Sequence, residues 1–150
     1  MDKQDNQQIN FGLVKVTTEQ FAILENNFQD QGPFNLNINF RFAADKEKKI
    51  IGVFAGFSFE IEEKPFLILE AGCHFSIIPD SWSKLLDTET NVLTVPKGLI
   101  QHLSVITVGT ARGILHAKTE GSAYNRFHLP TINVAQMITE DQLFEFEKDK

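Results

Sequence analysis

The side chains best suited to metal or acid–base chemistry are four histidines and one cysteine. Zinc sites place His and Cys ligands at short, regular spacings, which these residues lack. Cys73 and His74 are adjacent, but neighbouring residues of a strand point to opposite faces, which argues against a shared metal site or a Cys–His nucleophile. We therefore expect no metal centre and no cofactor. The histidines are His74, His102, His116 and His128.

Arg112, His116 and Glu120 follow each other at intervals of four, a spacing that places them on one face of a helix. We expect them to form a solvated polar edge with weak ion pairing. The chain has neither a phosphate-binding glycine loop before a helix nor a nucleophile elbow, so we predict that it is not an enzyme. An enzyme or a small-molecule carrier that uses an apolar pocket is an alternative hypothesis.

The composition indicates a single folded domain. The 150 residues are 42% hydrophobic, enough for one sizeable core. The formal charge of −6 argues against DNA or RNA as a partner, since nucleic-acid-binding surfaces are basic. The polar first residues do not resemble a secretory signal, the apolar stretch 50–61 is too short to span a membrane, and a lone cysteine suits a reducing compartment. We expect a cytoplasmic protein without membrane insertion.

Alternating polar and apolar side chains predict an antiparallel sheet. Residues 35–42 alternate most clearly, and in residues 51–61 and 67–77 the odd positions are apolar. Residues 11–24 alternate imperfectly, which predicts a strand that bends near Thr17 and Thr18. Four antiparallel strands result.

The pattern becomes helical after Pro96 and ends at Gly121. Residues 79–95 before it read as a loop with one helical turn at 82–86, capped by Asp80 or Ser81. Asn133 predicts the start of a short last helix that reaches Ile138 and extends toward Leu143 and Phe144. The predicted apolar face of the long helix comprises Leu99, Leu103, Ile106, Thr110, Ile114 and Ala117.

Phenylalanine is the unusual component, with 14 residues against one tyrosine and one tryptophan. Most of these rings fall on predicted strand faces. Phe28 and Phe34 lie in a predicted loop, and Phe144 and Phe146 lie near the acidic end, where a monomer has difficulty burying them. Exposed aromatic groups of this kind mark an interface or a groove for apolar ligands.

Two segments of the chain resemble the SecB family of export chaperones. Residues 65–77 read PFLILEAGCHFSI, similar to the last strand of that family. Residues 110–113 read TARG and residues 128–138 read HLPTINVAQMI, which resemble the main helix, the proline loop and the asparagine-capped short helix of SecB. The resemblance implies an α+β fold: a SecB-like four-stranded antiparallel sheet packed on a long helix, with a short C-terminal helix. It covers one domain at 11–143, between flexible ends at 1–10 and 144–150.

The resemblance also implies dimers that assemble into a homotetramer through the long helices. Gly109, Gly113 and Ala117 form a stripe of small side chains along which another backbone can approach closely, although packing inside the monomer is an equal alternative. The oligomer interface is therefore expected to comprise Gly109, Gly113, Ala117, Leu103 and Ile106.

In SecB, unfolded clients bind grooves lined by the first connecting loop, the second strand and the short C-terminal helix. The resemblance thus implies a holdase chaperone that binds non-native polypeptides without chemistry, for protein export. The corresponding client-binding residues are Phe28, Phe34, Phe40, Phe42, Met137, Ile138 and Leu143.

SecB contacts the translocase motor through acidic residues on the exposed sheet face, one of them in the last strand. This chain has apolar residues at 66–68, and the possible contacts that remain are Glu19, Glu25 and Glu70. An alternative is therefore a SecB-fold adaptor, or a chaperone of a toxin–antitoxin pair that binds an antitoxin, dedicated to one partner without translocase binding.

Overall fold

The computed structural model describes residues 8–147. Its largest element is a four-stranded antiparallel sheet whose strands are β1 (Phe11–Ile23), β2 (Asn35–Asp45), β3 (Ile50–Ile61) and β4 (Lys64–Ile77). The strand order is β1-β4-β3-β2, so β1 and β2 form the two edges. Together with a long helix, this sheet confirms the predicted α+β architecture.

Tight turns join β2 to β3 and β3 to β4. Glu62 and Glu63 form the second turn, and both have positive φ angles, 52° and 66°. Two consecutive residues of positive φ make the hairpin turn whose twist matches that of the flanking strands. Strand β1 has register shifts after Leu13 and after Thr18, so the predicted bend is present and a second one precedes it.

The core lies between the sheet and the helix α2 (Lys97–Thr119). The odd-numbered side chains of β3 face this helix and are buried, as are those of β4 from Leu67 onward. The helix packs mainly on these two central strands. The other face of the sheet, here called the outer face, points away from α2.

The helix presents a different face from the predicted one. Its buried side includes Ser104, Thr107 and Thr119, whose hydroxyls donate to the carbonyl four residues earlier at 2.7–2.8 Å. These bonds satisfy the hydroxyls internally, so polar residues enter the core at little cost. The buried face is therefore rotated around the helix axis relative to the predicted apolar face. Leu103 is the one residue of the predicted apolar face that is fully buried. The buried residues are Ile100, Leu103, Ser104, Thr107, Val108, Ala111, Leu115 and Thr119.

A second small sheet replaces the predicted loop at 79–95. It follows helix α1 (Pro79–Leu85), which has no side-chain cap from Asp80 or Ser81. Its strands are β5 (Leu86–Asp87), β6 (Val92–Val95) and β7 (Gln142–Glu145), paired in that order. Phe146, just past β7, stacks on the buried Trp82 ring, and the two ring centroids lie 6.3 Å apart.

This sheet corrects two expectations about the C-terminal part. The short helix α3 (Val134–Met137) is a single turn capped by Asn133, and Leu143 and Phe144 lie in β7 instead of extending it. Residues 144 and 145 pair with β6, and Asn91 exchanges hydrogen bonds with the backbone of Phe146 and Glu147, so residues 144–147 are part of the fold and not a flexible tail. Residues 148–150 lie outside the described part, as do residues 1–7 of the predicted flexible N-terminus. Asn10 is anchored by Ser81 and Ile78.

Hydrogen bonds connect the last segment to the start of the long helix. The Lys97 amide donates to Asp141 Oδ1 at 2.8 Å, and Gln101 Nε2 donates to the Ile138 carbonyl at 2.7 Å. Pro96 precedes the first helical residue, and Gly121 has a φ of 80° just beyond the end, as the sequence predicted. In residues 8–147 no helix combines the length and hydropathy needed to span a membrane.

Candidate functional site

Six aromatic rings meet at the C-terminal end of α2 and form what we call the aromatic cluster. The connection between β1 and β2 supplies two rings, β3 and β4 supply one each, and a 3-10 turn after α2 (Ala123–Arg126) and the residue after it supply two more. Ring centroids lie 5.0–6.3 Å apart, the range in which aromatic pairs attract each other. The members are Phe28, Phe34, Phe59, Phe66, Tyr124 and Phe127.

Burial decreases across the cluster from the core to the surface. Phe66 is 0% exposed and Phe127 7%, whereas Phe34 is 50% exposed although its ring lies 5.2 Å from that of Phe127. A depression of about 270 Å³ opens beside Phe34. The cluster therefore presents an accessible aromatic surface on a buried base.

An ion pair joins the two segments that carry the cluster. Arg126 Nη2 lies 2.7 Å from Asp30 Oδ1, and its guanidinium lies 5.3 Å and 5.0 Å from the Phe28 and Phe127 ring centroids. Both partners are exposed, so the pair contributes at most about 1 kcal/mol. Its role is to hold the β1–β2 connection against the segment after α2.

The predicted residues Phe40 and Phe42 lie on β2, on the side of the sheet that faces α2. Their rings are parallel at 6.4 Å and half-buried, because α2 covers mainly the central strands. With Leu36 and Ile38 they form a half-buried apolar strip that starts at Phe34. Phe34 to Phe42 spans about 26 Å along an extended strand.

The remaining predicted client-binding residues lie elsewhere. Arg112 donates to the carbonyls of Leu129 and Pro130 at 3.0 Å and 2.8 Å, so the segment after the cluster runs back along α2 toward Gln101. Gln101 and the helix end at Thr119 are about 27 Å apart along the axis. The predicted set is therefore divided between the two ends of α2, with Met137, Ile138 and Leu143 at the far end.

Met137, Ile138 and Leu143 also differ in how exposed they are. Ile138 is 8% exposed and belongs to the core, so its prediction as a contact residue is wrong. Met137 and Leu143 are exposed. Arg112, His116 and Glu120 are exposed, as expected for a solvated edge, and the Arg112 guanidinium also holds the returning segment by two hydrogen bonds.

The stripe predicted as an oligomer interface faces away from the sheet. Side chains added at Gly109 or Gly113 would meet nothing within 4 Å outside their own helix, and Ala117 is exposed. Ile106 is partly buried, while Leu103 is fully buried in the core and is thereby excluded from an interface. Small side chains at these glycines are therefore not required by packing within the chain.

The edge strand β1 adds another accessible apolar region. One edge of β1 has no pairing strand among residues 8–147. Three apolar side chains near this edge are each about half exposed: Leu13, Val14 and Val16. An unpaired edge with apolar side chains is a surface on which a further strand can add.

The acidic residues predicted to contact a translocase motor have different surroundings. Glu70 Oε1 lies 3.2 Å from Arg41, whose guanidinium also lies 4.0 Å above the Phe54 ring. Glu19 accepts a hydrogen bond from the Thr17 hydroxyl, and Glu25 belongs to the short 3-10 turn after β1. The charge of Glu70 is thus balanced locally.

The groups considered for chemistry are not brought together. Cys73 is buried on the α2 side of the sheet, and His74 lies on the outer face, as the strand alternation predicted. Among residues 8–147, no three His, Cys, Asp or Glu side chains are arranged to hold a metal ion. Tyr124, Arg126 and Phe127 were missed, although the sequence YNRF after Gly121 concentrates aromatic and guanidinium groups.

No protein-family model matches this chain, and neither does any curated protein. Among solved structures, the chain is similar to a protein of unknown function from Streptococcus agalactiae. That match has a TM-score of 0.39 and 14% identity, and it covers 83% of this chain and 98% of the other.

Truncating a buried ring of the cluster should be far more costly than truncating the exposed one. We expect Phe66→Ala to lower the free energy of unfolding by about 3–5 kcal/mol, because it leaves a cavity, and Phe34→Ala to lower it by less than about 1 kcal/mol. Urea unfolding of both variants measures the difference. Equal losses would show that Phe34 belongs to the core and is not a free surface.

Proposed function

We propose that this chain is a SecB-like holdase chaperone that binds unfolded polypeptides in the cytoplasm. The observation that carries the proposal is the aromatic cluster, with Phe34 half exposed above a buried base and the apolar strip of β2 beside it. The resemblance of residues 65–77 and 128–138 to SecB supports the same function. Binding of this kind needs no catalytic group and no cofactor.

The exposed rings are sufficient for weak, unselective binding. A phenylalanine buries about 150–250 Å² when fully covered, so half-exposed Phe34 offers about 100 Å². At about 25 cal/mol per Å², covering it contributes about 2.5 kcal/mol. Several such subsites along the apolar strip can bind diverse apolar segments, with ordering of the client opposing part of the gain. The net charge of −6 favours basic clients.

A single extended client can reach both ends of α2. About eight extended residues span the roughly 27 Å between the end of α2 at the aromatic cluster and the end near Met137 and Leu143. These two exposed residues therefore enter the proposal as secondary contacts, with the aromatic cluster and the apolar strip as the primary surface.

We further propose a homotetramer, a dimer of dimers, as the working form. The open face at Gly109, Gly113 and Ala117 permits close approach of a second helix, and the apolar edge of β1 offers a second contact. Glycine inside a helix costs about 1 kcal/mol relative to alanine, and close helix packing between copies would offset that cost.

The alternative is an adaptor or toxin–antitoxin-associated chaperone with one dedicated partner. The observation favouring it is the Arg41–Glu70 ion pair, which balances one of the acids expected to contact a translocase motor. Affinity purification of the tagged chain separates the two functions. Recovery of one stoichiometric partner with no binding of diverse unfolded proteins supports the adaptor.

Replacing Phe34 should weaken holdase activity without unfolding the chain. We expect the wild-type chain to suppress aggregation of a chemically unfolded client without nucleotide, and Phe34→Ala to require about tenfold more protein for the same effect, measured by light scattering. Ile78→Ala is the matched control, since Ile78 is 48% exposed at the opposite end of β4. Client aggregation that is unchanged by the wild-type chain would refute the proposal.

Filling the helix stripe should disrupt assembly. We expect multi-angle light scattering to give four times the chain mass for the wild type and a lower mass for Gly109→Leu/Gly113→Leu, because the added side chains separate the helices. Lys118→Leu is the control, since it places leucine half a turn away from Gly109 on the same helix. A monomeric wild type, or an undiminished mass for the double variant, would contradict the proposed interface.

A further inference from the structure

The outer face of the sheet carries a pocket of about 470 Å³ that the proposed chaperone function does not use. One cross-strand row builds it: Lys15 on β1 pairs with His74 on β4, His74 with Gly52 on β3, and Gly52 with Ala43 on β2. Because Gly52 and Ala43 have small or no side chains, a depression remains along this row. The Phe54 ring forms a wall beside them.

Gly52 gives the Phe54 ring room in this row. A Cβ atom at this position would lie 3.1 Å from the Phe54 ring, which is a tight contact, and 3.6 Å from His74 Nδ1, which is an ordinary one. Phe54 and His74 pack edge to face at 5.5 Å. The apolar lining is completed by Val14 on the edge strand and Ile50 at the start of β3.

The pocket is locally basic in an acidic protein. Lys15 and Lys48 line it, and among residues 8–147 neither side-chain ammonium group has a carboxylate oxygen within 4.0 Å. Asp45 also lines the pocket, and its Oδ1 accepts the Lys48 amide at 3.0 Å. Two ammonium groups and one carboxylate leave a formal charge of +1, which matches a monoanion.

The His74 ring forms another wall of the pocket. Its Nε2 is screened from solvent without a hydrogen-bond partner, and in the described part of the chain it is the one buried side-chain nitrogen or oxygen in that condition. Because this nitrogen is inaccessible, a ligand in the open pocket contacts the ring and not Nε2. The imidazole signals therefore report on the pocket.

From these contacts we infer that the outer-face pocket binds a carboxylate attached to an apolar chain. The carboxylate interacts with Lys15 and Lys48. The apolar chain lies against Phe54, Gly52 and Ala43, beside the His74 ring. Phosphates are less well matched, because Arg41 is engaged by Glu70 and Phe54 and no glycine loop is present at the pocket. The carboxylate can belong to a fatty acid or to the C-terminus of a polypeptide with an apolar last residue. This inference does not depend on the holdase proposal.

The test is an NMR titration that follows the His74 imidazole signals of the full chain. The probes are decanoate, its neutral isostere decanol, and an apolar pentapeptide with either a free or an amidated C-terminus. We expect at least one free carboxylate to shift the His74 signals and its neutral counterpart to bind about tenfold more weakly. Whether decanoate or the free peptide binds more tightly identifies the source of the carboxylate.

Two variants and one control locate the binding. Lys15→Ala/Lys48→Ala should weaken carboxylate binding about tenfold, and Ala43→Phe should abolish it by filling the pocket from an exposed strand position. Phe34→Ala should leave the His74 titration unchanged, which separates this pocket from the aromatic cluster. The inference is overturned if no carboxylate shifts His74, if the neutral probes bind equally well, or if Ala43→Phe has no effect. Aggregation suppression is scored separately on the same variants.

Discussion

The packing of α2 on the two central strands determines which surfaces of this chain remain accessible. One 23-residue helix covers the inner side chains of β3 and β4, where Phe57, Phe75 and Leu69 are almost fully buried. It is too narrow to cover a four-stranded sheet, since an α-helix with its side chains is about 10–12 Å wide and strands are about 4.8 Å apart. The inner faces of β1 and β2 therefore stay partly exposed, which leaves the apolar strip of β2 and the apolar edge of β1 accessible.

The two ends of α2 make different kinds of contact. At its start, Asp141 and Gln101 tie the returning C-terminal segment to the helix, and β6 of the small sheet directly precedes it in the chain. At its C-terminal end, Phe127 packs onto Phe66 and Phe59, and the aromatic cluster continues outward to Phe34. Large apolar rings on a buried base at an otherwise open end are suited to binding unfolded segments, which is the basis of the proposed function.

The sequence predicted those elements whose own residues show a clear alternation of polar and apolar side chains. The alternation at 35–42 and the apolar odd positions of 51–61 lead directly to β2 and β3. The buried face of α2 was not predictable in this way, because Ser104 and Thr107 enter the core only by bonding their hydroxyls to carbonyls of the same helix. The pairing of β6 with β7 joins segments about fifty residues apart and leaves no local pattern.

The candidate site shows the same division. Phe28 and Phe34 were predictable, because aromatic residues in a polar connection have no obvious place in the core. Tyr124 and Phe127 come from an irregular segment, and their approach to Phe28 depends on where α2 ends on the sheet. Met137 and Leu143 were grouped with these rings by resemblance alone, and the path of the chain along α2 places them at the far end.

The most direct test of the proposed binding surface is amide hydrogen exchange of the wild-type chain with and without a permanently unfolded client. We predict slower exchange in residues 28–42 and 123–129, because a bound client covers the aromatic cluster and the apolar strip of β2. Protection confined to other parts of the chain, or absent at client concentrations that saturate aggregation suppression, would contradict it.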